Sequence, residues 1–498
     1  MADANEDWSS NSNEAVEISL VIPDVGAPKT LHTFNPKFTY SIFGDEETIF
    51  GYRGLKATIR YNASDMRPHL QITYDKKFRT VGETEPLDVK AVLEPYLPKT
   101  AFEKSAVFDA AIKDPMYTNW SPPGELWKTV QSGGQTFEVW KGSLADLAIQ
   151  QMIKRIQILV PFLIEGGTFV ELQDPEWSLE RWTVFFLYER KKDFAEGVSP
   201  YLFMGYSTVY RYFYYQPITS SKPREKKERI SHEANLDFKL PLNNITFSSL
   251  PCRSRISQFV ILPPFQGGGN GSRFYNAIFD FYLQEPQTIE ITVEDPNEAF
   301  DDLRDLNDLG RLRSLPEFLA LKINDNVKPN KKGPVPNDIM DMDKLETIRR
   351  KIKIAPRQFY RVVEMQLLSH IPLGVRQSLL VEHEHEQKGK GLQNKAKEHE
   401  YHLWQLWVKK RLYKHNKDMM LQIEKSERIE KLEQAVSGVE ADYARLLRSF
   451  DARKGPGRRV SIASIGAGPS NGNGKRSSQD DHSEDSGEPV AKKVRIAT

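Results

Sequence analysis

Short stretches in which apolar and polar residues alternate dominate the first third of the chain. Residues 54–61 and 69–74 show this period of two, and prolines and glycines separate such stretches. The pattern is typical of half-buried strands joined by turns. We therefore expect residues 15–141 to form a mixed, strand-rich N-terminal domain, preceded by a disordered polar segment over residues 1–14.

The middle of the chain changes between helical and strand periods. Residues 144–162 carry an apolar stripe that predicts a helix, and residues 182–188 and 201–206 are apolar runs that predict strands. A further apolar strand ends in a glycine-rich loop, which leads into a predicted amphipathic helix over 271–283 and an alternating strand over 288–293. This order predicts a βαβ unit and an α/β (α+β) fold for residues 142–325.

Helical periodicity dominates after residue 326. It predicts helices near 345–348 and 359–368 and one long charged helix over 396–447, within a C-terminal helical region that ends at residue 450. Residues 451–498 are rich in Gly, Pro, Ser and charge, so we expect a disordered tail. The charged insertion at 221–245 is predicted to be a solvated loop, with a partner-binding loop as the alternative.

The glycine-rich loop is the segment that carries chemistry. Glycines allow a tight turn close to a ligand, and the unpaired N–H groups that open a helix attract phosphate. The spacing fits neither the nucleotide-triphosphate loop nor the dinucleotide fingerprint. What remains is Gln266-x-x-Gly269-x-Gly271, which resembles the acetyl-CoA signature of the GNAT N-acetyltransferase superfamily; a plain exposed turn is the alternative.

Several separated motifs resemble a narrower family, the catalytic subunit of the type B histone acetyltransferase in its fungal branch. The similar segments are residues 43–52, 205–210, 291–305 (ITVEDPNEAFDDLRD) and 361–364. The resemblance covers about residues 17–447. It implies a GNAT fold, acetyl transfer from acetyl-CoA to lysines in the tail of newly made, free histone four, and a WD40 β-propeller histone chaperone as partner.

Composition agrees with an intracellular enzyme. The 498-residue chain suggests two or three folding units, and its one cysteine, Cys252, excludes an internal disulfide and a cysteine-rich metal site. A net charge of +1 favours no direct binding to nucleic acid, and neither a membrane span nor a secretory signal is evident. We expect a protein of the cytoplasm and nucleus, without a metal. His383 and His385 are interpreted as a solvated helix face rather than as metal ligands.

Acyl transfer to lysine requires a proton acceptor. A lysine amine has a pKa near 10.4, so keeping it neutral at pH 7 costs roughly 4 to 5 kcal/mol. Glu294, at the end of the predicted second strand, is the candidate general base. By resemblance, Asp295 and Glu165 are supporting carboxylates. The alternative for Glu294 and Asp295 is a strand-end turn, in which Asp295 caps the following helix.

The resemblance also assigns the acetyl-CoA contacts. Backbone of the first strand would pair with the pantetheine arm, the loop would hold the pyrophosphate, and Asn297 would add a contact. The strand residues are Phe259, Val260 and Ile261; the loop residues are Gln266, Gly267, Gly268, Gly269, Asn270, Gly271 and Ser272. Gly268 and Asn270 are departures from the family pattern.

Acidic and aromatic residues are candidates for binding a cationic histone tail, because carboxylates pair with Lys and Arg and aromatic faces attract cations. By resemblance they are Asp45, Glu46, Glu47, Trp182, Tyr210, Arg211 and Tyr212. Two alternatives stay open: a histone chaperone or scaffold that has kept the fold without turnover, and a basic nucleic-acid-binding module.

Overall fold

The structure, a computed structural model, describes residues 8–192, 197–213, 250–330, 333–372, 374–375 and 392–454. The predictions for residues 1–7, the 221–245 insertion, His383 and His385, and the tail beyond residue 454 lie outside these residues. Within the described ranges, no helix is both long and apolar enough to cross a membrane. The same ranges hold no group of three or more His, Cys, Asp or Glu residues that could hold a metal ion.

The strands are short except in the central sheet. In chain order they are β1 (Ser9–Asn11), β2 (Val16–Ile22), β3 (Lys29–Phe34), β4 (Thr48–Phe50), β5 (Tyr52–Arg53), β6 (Lys56–Asn62), β7 (Pro68–Thr73), β8 (Lys76–Lys77), β9 (Glu125–Ser132), β10 (Gln135–Ser143), β11 (Trp182–Arg190), β12 (Tyr201–Phe213), β13 (Cys252–Ile261) and β14 (Thr288–Val293).

The longest helices lie in the C-terminal half. In chain order the helices are α1 (Ser12–Ala15), α2 (Tyr40–Phe43), α3 (Val89–Leu93), α4 (Ser105–Ile112), α5 (Leu147–Ile156), α6 (Leu159–Leu163), α7 (Glu176–Leu179), α8 (Asn270–Gln284), α9 (Glu298–Leu312), α10 (Pro316–Leu319), α11 (Met342–Ile352), α12 (Pro356–Ser369), α13 (Leu392–His415), α14 (Lys417–Met420) and α15 (Lys425–Lys454).

A four-stranded sheet in the order β3-β2-β6-β7 forms the base of the N-terminal part. The alternation predicted for residues 54–61 is confirmed, because Ala57, Ile59 and Tyr61 of β6 are fully buried while Thr58 and Arg60 between them are partly exposed. The buried face of this sheet and the rest of the molecule share one hydrophobic core.

The expected disorder of residues 1–14 is wrong for residues 9–14. Here β1 pairs antiparallel with β4, and the side chain of Asn11 caps α1 by accepting the N–H groups of Asn13 and Glu14. This order comes from pairing with strand β4, almost forty residues away, and the polar composition of the segment gives no sign of it.

The second sheet carries the candidate chemistry and has six strands in the order β14-β13-β12-β11-β10-β9. Its neighbours are antiparallel except for β13 and β14, which are parallel and joined by α8. The predicted strand–loop–helix–strand order is therefore confirmed. The expected boundary at residue 141 lies inside β10, so the sheet already includes the β9–β10 hairpin on the N-terminal side of it.

The predicted helix over 144–162 is wrong as a single helix. It is two helices, α5 and α6, separated by a turn at Gln157 and Ile158. Ile156, Ile158 and Leu159 are all fully buried. A straight helix could not direct three such closely spaced side chains to one core face, so the chain bends between them.

The single long helix predicted over 396–447 is also wrong. The chain folds back into α13, α14 and α15, and α15 continues to Lys454, beyond the expected start of the tail at 451. The turn buries Trp404 of α13 and Tyr443 of α15 in one core. Glu364 of α12 accepts two hydrogen bonds from Arg411 and one from Tyr443, which ties the three helices together.

Helix α9 connects the second sheet to the C-terminal helices. Its Asp305 accepts a 2.7 Å hydrogen bond from Arg361 of α12, and its Asp302 accepts two from Arg445 of α15. Asp308, one turn further along α9, accepts a 2.9 Å hydrogen bond from Tyr275 of α8. The C-terminal helices are thereby anchored to the βαβ unit.

Candidate active site

A row of side chains crosses four neighbouring strands on one face of the second sheet. Trp182 on β11 lies opposite Tyr210 on β12, Tyr210 lies opposite Arg255 on β13, and Arg255 lies opposite Thr292 on β14. Residues that lie opposite each other in a sheet share a face, and so do residues two apart along a strand. Glu294, two residues after Thr292, continues this row past the end of β14.

The Glu294 carboxylate is held by donors from two other strands. The hydroxyl of Ser257 donates to Oε2 at 2.6 Å, and the hydroxyl of Tyr210 donates to Oε1 at 3.1 Å. A terminal nitrogen of Arg255 lies 3.7 Å from Oε1. The side chain is still 34% exposed, so the carboxylate is oriented by the protein and remains accessible from solvent.

Aromatic side chains border this carboxylate. The rings of Trp182 and Tyr210 are 4.8 Å apart, and Tyr212, two residues along the same face, is 54% exposed. Burial and the nearby Glu294 charge raise the pKa of Tyr210, so its hydroxyl stays protonated and donates at neutral pH. Trp182, Tyr210 and Tyr212 thus form an aromatic surface on the face that carries Glu294, with Tyr210 next to the carboxylate.

Arg211 is not part of that surface. It lies between Tyr210 and Tyr212 in the strand, so its side chain points to the opposite face. There its guanidinium lies 3.7 Å from Glu285, at the end of α8, and its backbone oxygen accepts a hydrogen bond from Arg181. Of the predicted run of three residues, Tyr210 contacts Glu294, while Tyr212 lies on the same face but opposite Arg253, farther along β12.

Asp295 follows Glu294 in a strained conformation. It is exposed, and its φ of +34° is unfavourable for a residue with a side chain. The alternative in which Asp295 caps the next helix is wrong, because Asn297 does so by accepting the N–H of Phe300 at 2.9 Å. Asn297, predicted as an acetyl-CoA contact, therefore also fixes the start of α9.

Glu165 lies in the loop that follows α6, where it is exposed. Two hydrogen bonds fix this loop: the N–H of Gly166 donates to the Tyr40 hydroxyl at 2.7 Å, and the Thr168 oxygen accepts from the Gln258 side chain at 2.7 Å. Because Gln258 belongs to β13, the Glu165 loop borders the strand that carries Ser257.

The acidic turn at residues 45–47 contains two kinds of carboxylate. Glu47 accepts the backbone N–H groups of Thr39 and Tyr40 and the side-chain amide of Asn13. These hydrogen bonds, chiefly that of Thr39, lower the pKa of Glu47. Asp45 and Glu46 are exposed, so they are the carboxylates of this turn that can meet a cationic ligand.

Strand β14 pairs with only the first half of β13. The pairing ends at Ile256 and Val293, although β13 continues to Ile261. Beyond that point Phe259, Val260 and Ile261 pair with β12 alone among the described residues. The Phe259 ring packs between Phe274 and Phe300, which fixes the strand in place. The open backbone edge can pair with an extended ligand.

The glycine-rich loop adjoins this open edge. Gly267 and Gly269 have φ angles of +80° and +78°, a conformation that favours glycine. Gln266 donates from its side chain to the Ile261 oxygen at 2.8 Å, and Asn270 donates to the Phe265 oxygen at 2.8 Å. The loop is thereby held against β13 while the first N–H groups of α8 are left for a ligand.

A cation lies beside the loop. The Arg273 guanidinium donates to the Gly268 oxygen and to Asn270 Oδ1, and it also donates to Ser132 at the end of β9. Its positive charge adds to the partial charge of the α8 N-terminus, which favours an anion at Gly268 to Ser272. Both departures from the family pattern, Gly268 and Asn270, are accommodated by this arginine.

Gly271 has a packing role. A Cβ atom at this position would lie 2.7 Å from Leu303 Cδ1 on α9. The absent side chain therefore lets α8 and α9 approach each other, and the backbone of Gly271 still belongs to the first turn of α8.

Sequence reasoning missed three residues of the site: Arg255, Ser257 and Arg273. Arg255 and Ser257 are two apart on β13, so strand alternation places them on one face. Which face that is depends on the pairing with β12 and β14, and the sequence does not specify it. Arg273 lies one turn into α8, and a basic residue there was a signal for an anion site.

Comparisons with known proteins identify relatives over most of the chain. The family described as "Histone acetyl transferase HAT1 N-terminus" matches residues 8–165, and "Fungal HAT1, C-terminal" matches residues 305–371. A histone acetyltransferase type B catalytic subunit from Gibberella zeae is 47% identical, covering 89% of this chain and 91% of its own. The corresponding subunit from Neurospora crassa is 44% identical, with 89% and 88% covered.

More distant matches follow. The type B catalytic subunit of Candida albicans is 30% identical, covering 89% of this chain and 90% of its own. Among solved structures, an aminoglycoside acetyltransferase from an uncultured soil metagenomic sample is 14% identical, covers 36% of this chain and 86% of its own, and has a TM-score of 0.19.

Proposed function

Because this chain belongs to the family of type B histone acetyltransferase catalytic subunits, we propose that it acetylates lysine side chains in the N-terminal tail of newly made, free histone four. The observation that carries the proposal is the position of Glu294. Its carboxylate, held by Ser257 and Tyr210, stands where β14 ends and parts from β13. A proton acceptor at the mouth of an open strand edge is what acetyl transfer to an amine requires.

Glu294 acts as the general base in this proposal. A lysine ammonium that enters the site loses one proton to the carboxylate, directly or through a water, and its neutral nitrogen then attacks the acetyl carbonyl. The amide forms as the carbon–sulfur bond breaks, and CoA leaves as a thiolate that takes up the second proton lost by the nitrogen. Ser257 and Tyr210 hold the two carboxylate oxygens, so the base is already oriented when the substrate arrives. Transfer occurs in a ternary complex, without a covalent acyl-enzyme.

The chain's residues fit acetyl-CoA, which supplies the activated acetyl group. The open edge from Phe259 to Ile261 offers backbone hydrogen bonds for the pantetheine arm. The loop from Gln266 to Ser272 and the Arg273 charge offer N–H groups and a cation for the pyrophosphate. An N–H group on the open edge also suits the oxyanion that develops on the thioester carbonyl.

The histone tail is proposed to approach from the aromatic side. Trp182, Tyr210 and Tyr212 provide faces for cationic side chains, worth about 0.5 to 2 kcal/mol each. Asp45 and Glu46 add exposed negative charge that attracts a Lys- and Arg-rich peptide.

A histone chaperone or scaffold without turnover is the alternative function. The fixed geometry around Glu294 argues against it, because two hydroxyl donors aimed at one carboxylate have no evident part in passive binding. A scaffold would bind histone four as well as the enzyme does, yet would release no CoA.

We further propose a WD40 β-propeller histone chaperone as partner and the cytoplasm and nucleus as compartments. The sequence of the tail supports the second point, since the basic clusters at 475–476 and 492–495 are laid out like a bipartite nuclear-import signal. Truncation after Lys454 should leave acetylation of free histone unchanged and shift the protein toward the cytoplasm. An unaltered nuclear fraction would contradict this role of the tail.

The direct test is mass spectrometry of free core histones incubated with the purified chain and acetyl-CoA. We expect acetyl groups on lysines of the histone four tail, with much less transfer to histone four assembled in nucleosomes. Acetylation of another histone alone would refute the substrate, and binding without CoA release would favour the scaffold.

A further inference from the structure

A groove of about 520 Å³ lies between helices α8, α9 and α15, and none of its residues belongs to the cluster around Glu294. Its walls include Asn276 and Asp280 of α8, Arg311 of α9, and Phe450 and Arg453 of α15. A volume of this size is within the range of small-molecule sites.

The groove has an excess of positive charge. The one carboxylate, Asp280, is bound by two cations: Lys128 Nζ lies 2.6 Å from Oδ2, and Arg311 donates to Oδ1 at 2.5 Å. Both cations lower the pKa of Asp280 against the opposing effect of burial. Arg453 brings a third positive charge to the same groove. Three cations around one anion favour a negatively charged ligand.

Two guanidinium nitrogens here lack partners. Arg311 Nε and Arg453 Nη2 are buried and make no hydrogen bond to any residue that the structure describes. Burial also lowers the pKa of Arg453. An unsatisfied buried donor is destabilising, and an acceptor-rich ligand would remove that penalty. Guanidinium groups bind phosphate particularly well.

Phe450 gives the groove an apolar wall. Arg313 stacks on its ring, with 4.9 Å between the guanidinium carbon and the ring centre. Gly310 faces the same ring: a Cβ atom added there would lie 3.5 Å from the ring, in van der Waals contact with it. The Phe450 ring is 8% exposed, so a flat apolar group in the groove can contact the part of the ring that lines it.

A ladder of side-chain hydrogen bonds connects the groove to the glycine-rich loop. Asn307 donates to the Ser272 hydroxyl at 3.0 Å, Asn276 donates to Asn307 at 2.7 Å, and Arg311 donates to Asn276 at 2.9 Å. Ser272 and Asn276 are one helical turn apart, about 6 Å along α8. The groove therefore begins within reach of a ligand whose pyrophosphate lies on the loop.

We propose that this groove is a binding site for an organic phosphate, with the phosphate at Arg311 and Arg453 and a flat ring against Phe450. Two ligands share this chemistry. One is the 3′-phosphoadenosine end of acetyl-CoA, an assignment that rests on the proposed function. The other is a separate adenine nucleotide that binds while acetyl-CoA is in place.

Calorimetry with the full chain and no histone tests the site. Arg453→Gln removes the unpaired charge, Arg453→Lys keeps it, and Arg448→Gln removes an exposed charge from the same helix outside the groove as the matched control. If the groove holds the end of acetyl-CoA, Arg453→Gln should weaken acetyl-CoA about tenfold and leave 3′-dephospho-acetyl-CoA unchanged. Arg453→Lys should recover part of that loss.

If the ligand is separate, ADP should bind to the chain saturated with acetyl-CoA, and Arg453→Gln should abolish that binding. Equal affinities for acetyl-CoA in Arg453→Gln and Arg448→Gln, together with no ADP binding to the saturated chain, would overturn the proposal. Because histone is absent, this failure is distinct from failure of the proposed acetylation, which Glu294→Gln tests.

Discussion

The hydroxyl of Ser257 on β13 donates a 2.6 Å hydrogen bond to Oε2 of Glu294, which follows β14. The bond spans the point where the two parallel strands separate, so it fixes the carboxylate relative to the open edge of β13. Ser257→Ala should therefore reduce kcat about three- to tenfold, because the base loses orientation, while the KM for acetyl-CoA stays the same.

Steady-state kinetics on a histone four peptide measure this, with Ser257→Thr as the variant that keeps a hydroxyl. A kcat equal to that of the unmodified chain in Ser257→Ala would mean that Tyr210 alone orients the base.

The second prediction concerns Glu294 itself. Glu294→Gln keeps the shape and removes the proton acceptor, so turnover should fall about a hundredfold or more while acetyl-CoA affinity barely changes. Single-turnover kinetics and calorimetry separate the two effects. The exposed Glu298, in the first turn of α9, provides the control Glu298→Gln. Near-normal turnover of Glu294→Gln across pH would move the base to Asp295 or Glu165.

Substitutions in the acidic turn should have two different effects: those at Asp45 and Glu46 should weaken peptide binding, and one at Glu47 should lower stability. Asp45→Asn with Glu46→Gln should raise the KM for the histone peptide several-fold, and more at low salt, because these exposed charges attract the peptide over a distance. Glu47→Gln should instead lower the melting temperature, since its carboxylate holds Thr39, Tyr40 and Asn13. Peptide kinetics at two salt concentrations and thermal melts distinguish these outcomes. A lowered melting temperature in the Asp45/Glu46 variant, with only a raised KM in Glu47→Gln, would contradict the structure.

The contact between α8 and α9 predicts a double-mutant result. Gly271→Ala places a Cβ 2.7 Å from Leu303 Cδ1 and should lower the free energy of unfolding by about 1 to 2 kcal/mol. Adding Leu303→Ala removes the clash, so the double variant should lose less stability than the two single losses combined. Urea unfolding of the unmodified chain, the two single variants and the double variant measures this coupling. Strictly additive losses of unfolding free energy would show that Leu303 moves aside at no cost.

Asp308 should make stability depend on pH. Burial raises its pKa to about 6, although Tyr275 and Gln358 donate to its carboxylate and Arg304 and Arg311 favour its charge. The folded state therefore binds a proton between about pH 4 and pH 6 that the unfolded state has released. The stabilisation that this raised pKa provides is fully present below about pH 4 and is lost as the pH rises through 6.

The Asp308→Asn variant cannot ionise at this position. As the pH rises from 4 to 7.5, its free energy of unfolding should therefore increase by about 1 to 3 kcal/mol relative to that of the unmodified chain. Urea unfolding at several pH values tests this. A constant difference across that range would show that Asp308 has an ordinary pKa in the folded chain.

Local patterns were sufficient to predict the glycine-rich loop, helix α8, strand β14 and the position of Glu294 at its end. These features follow from turn chemistry and from the periods of two and 3.6, which short stretches of sequence contain in full. Strands β6 and β7 of the N-terminal sheet were predictable for the same reason. The acetyltransferase family was recognisable because its motifs lie within such local stretches.

Tertiary structure alone decided the rest. Ser257 and Arg255 reach Glu294, and Arg211 is directed to Glu285, because strand pairing sets which face each residue occupies. The order of residues 9–14 and the fold-back of α13 onto α15 depend on partners far away in the sequence. Such contacts are set by the packing of the whole chain, and a pattern read along a single segment contains no information about the segment that will lie against it.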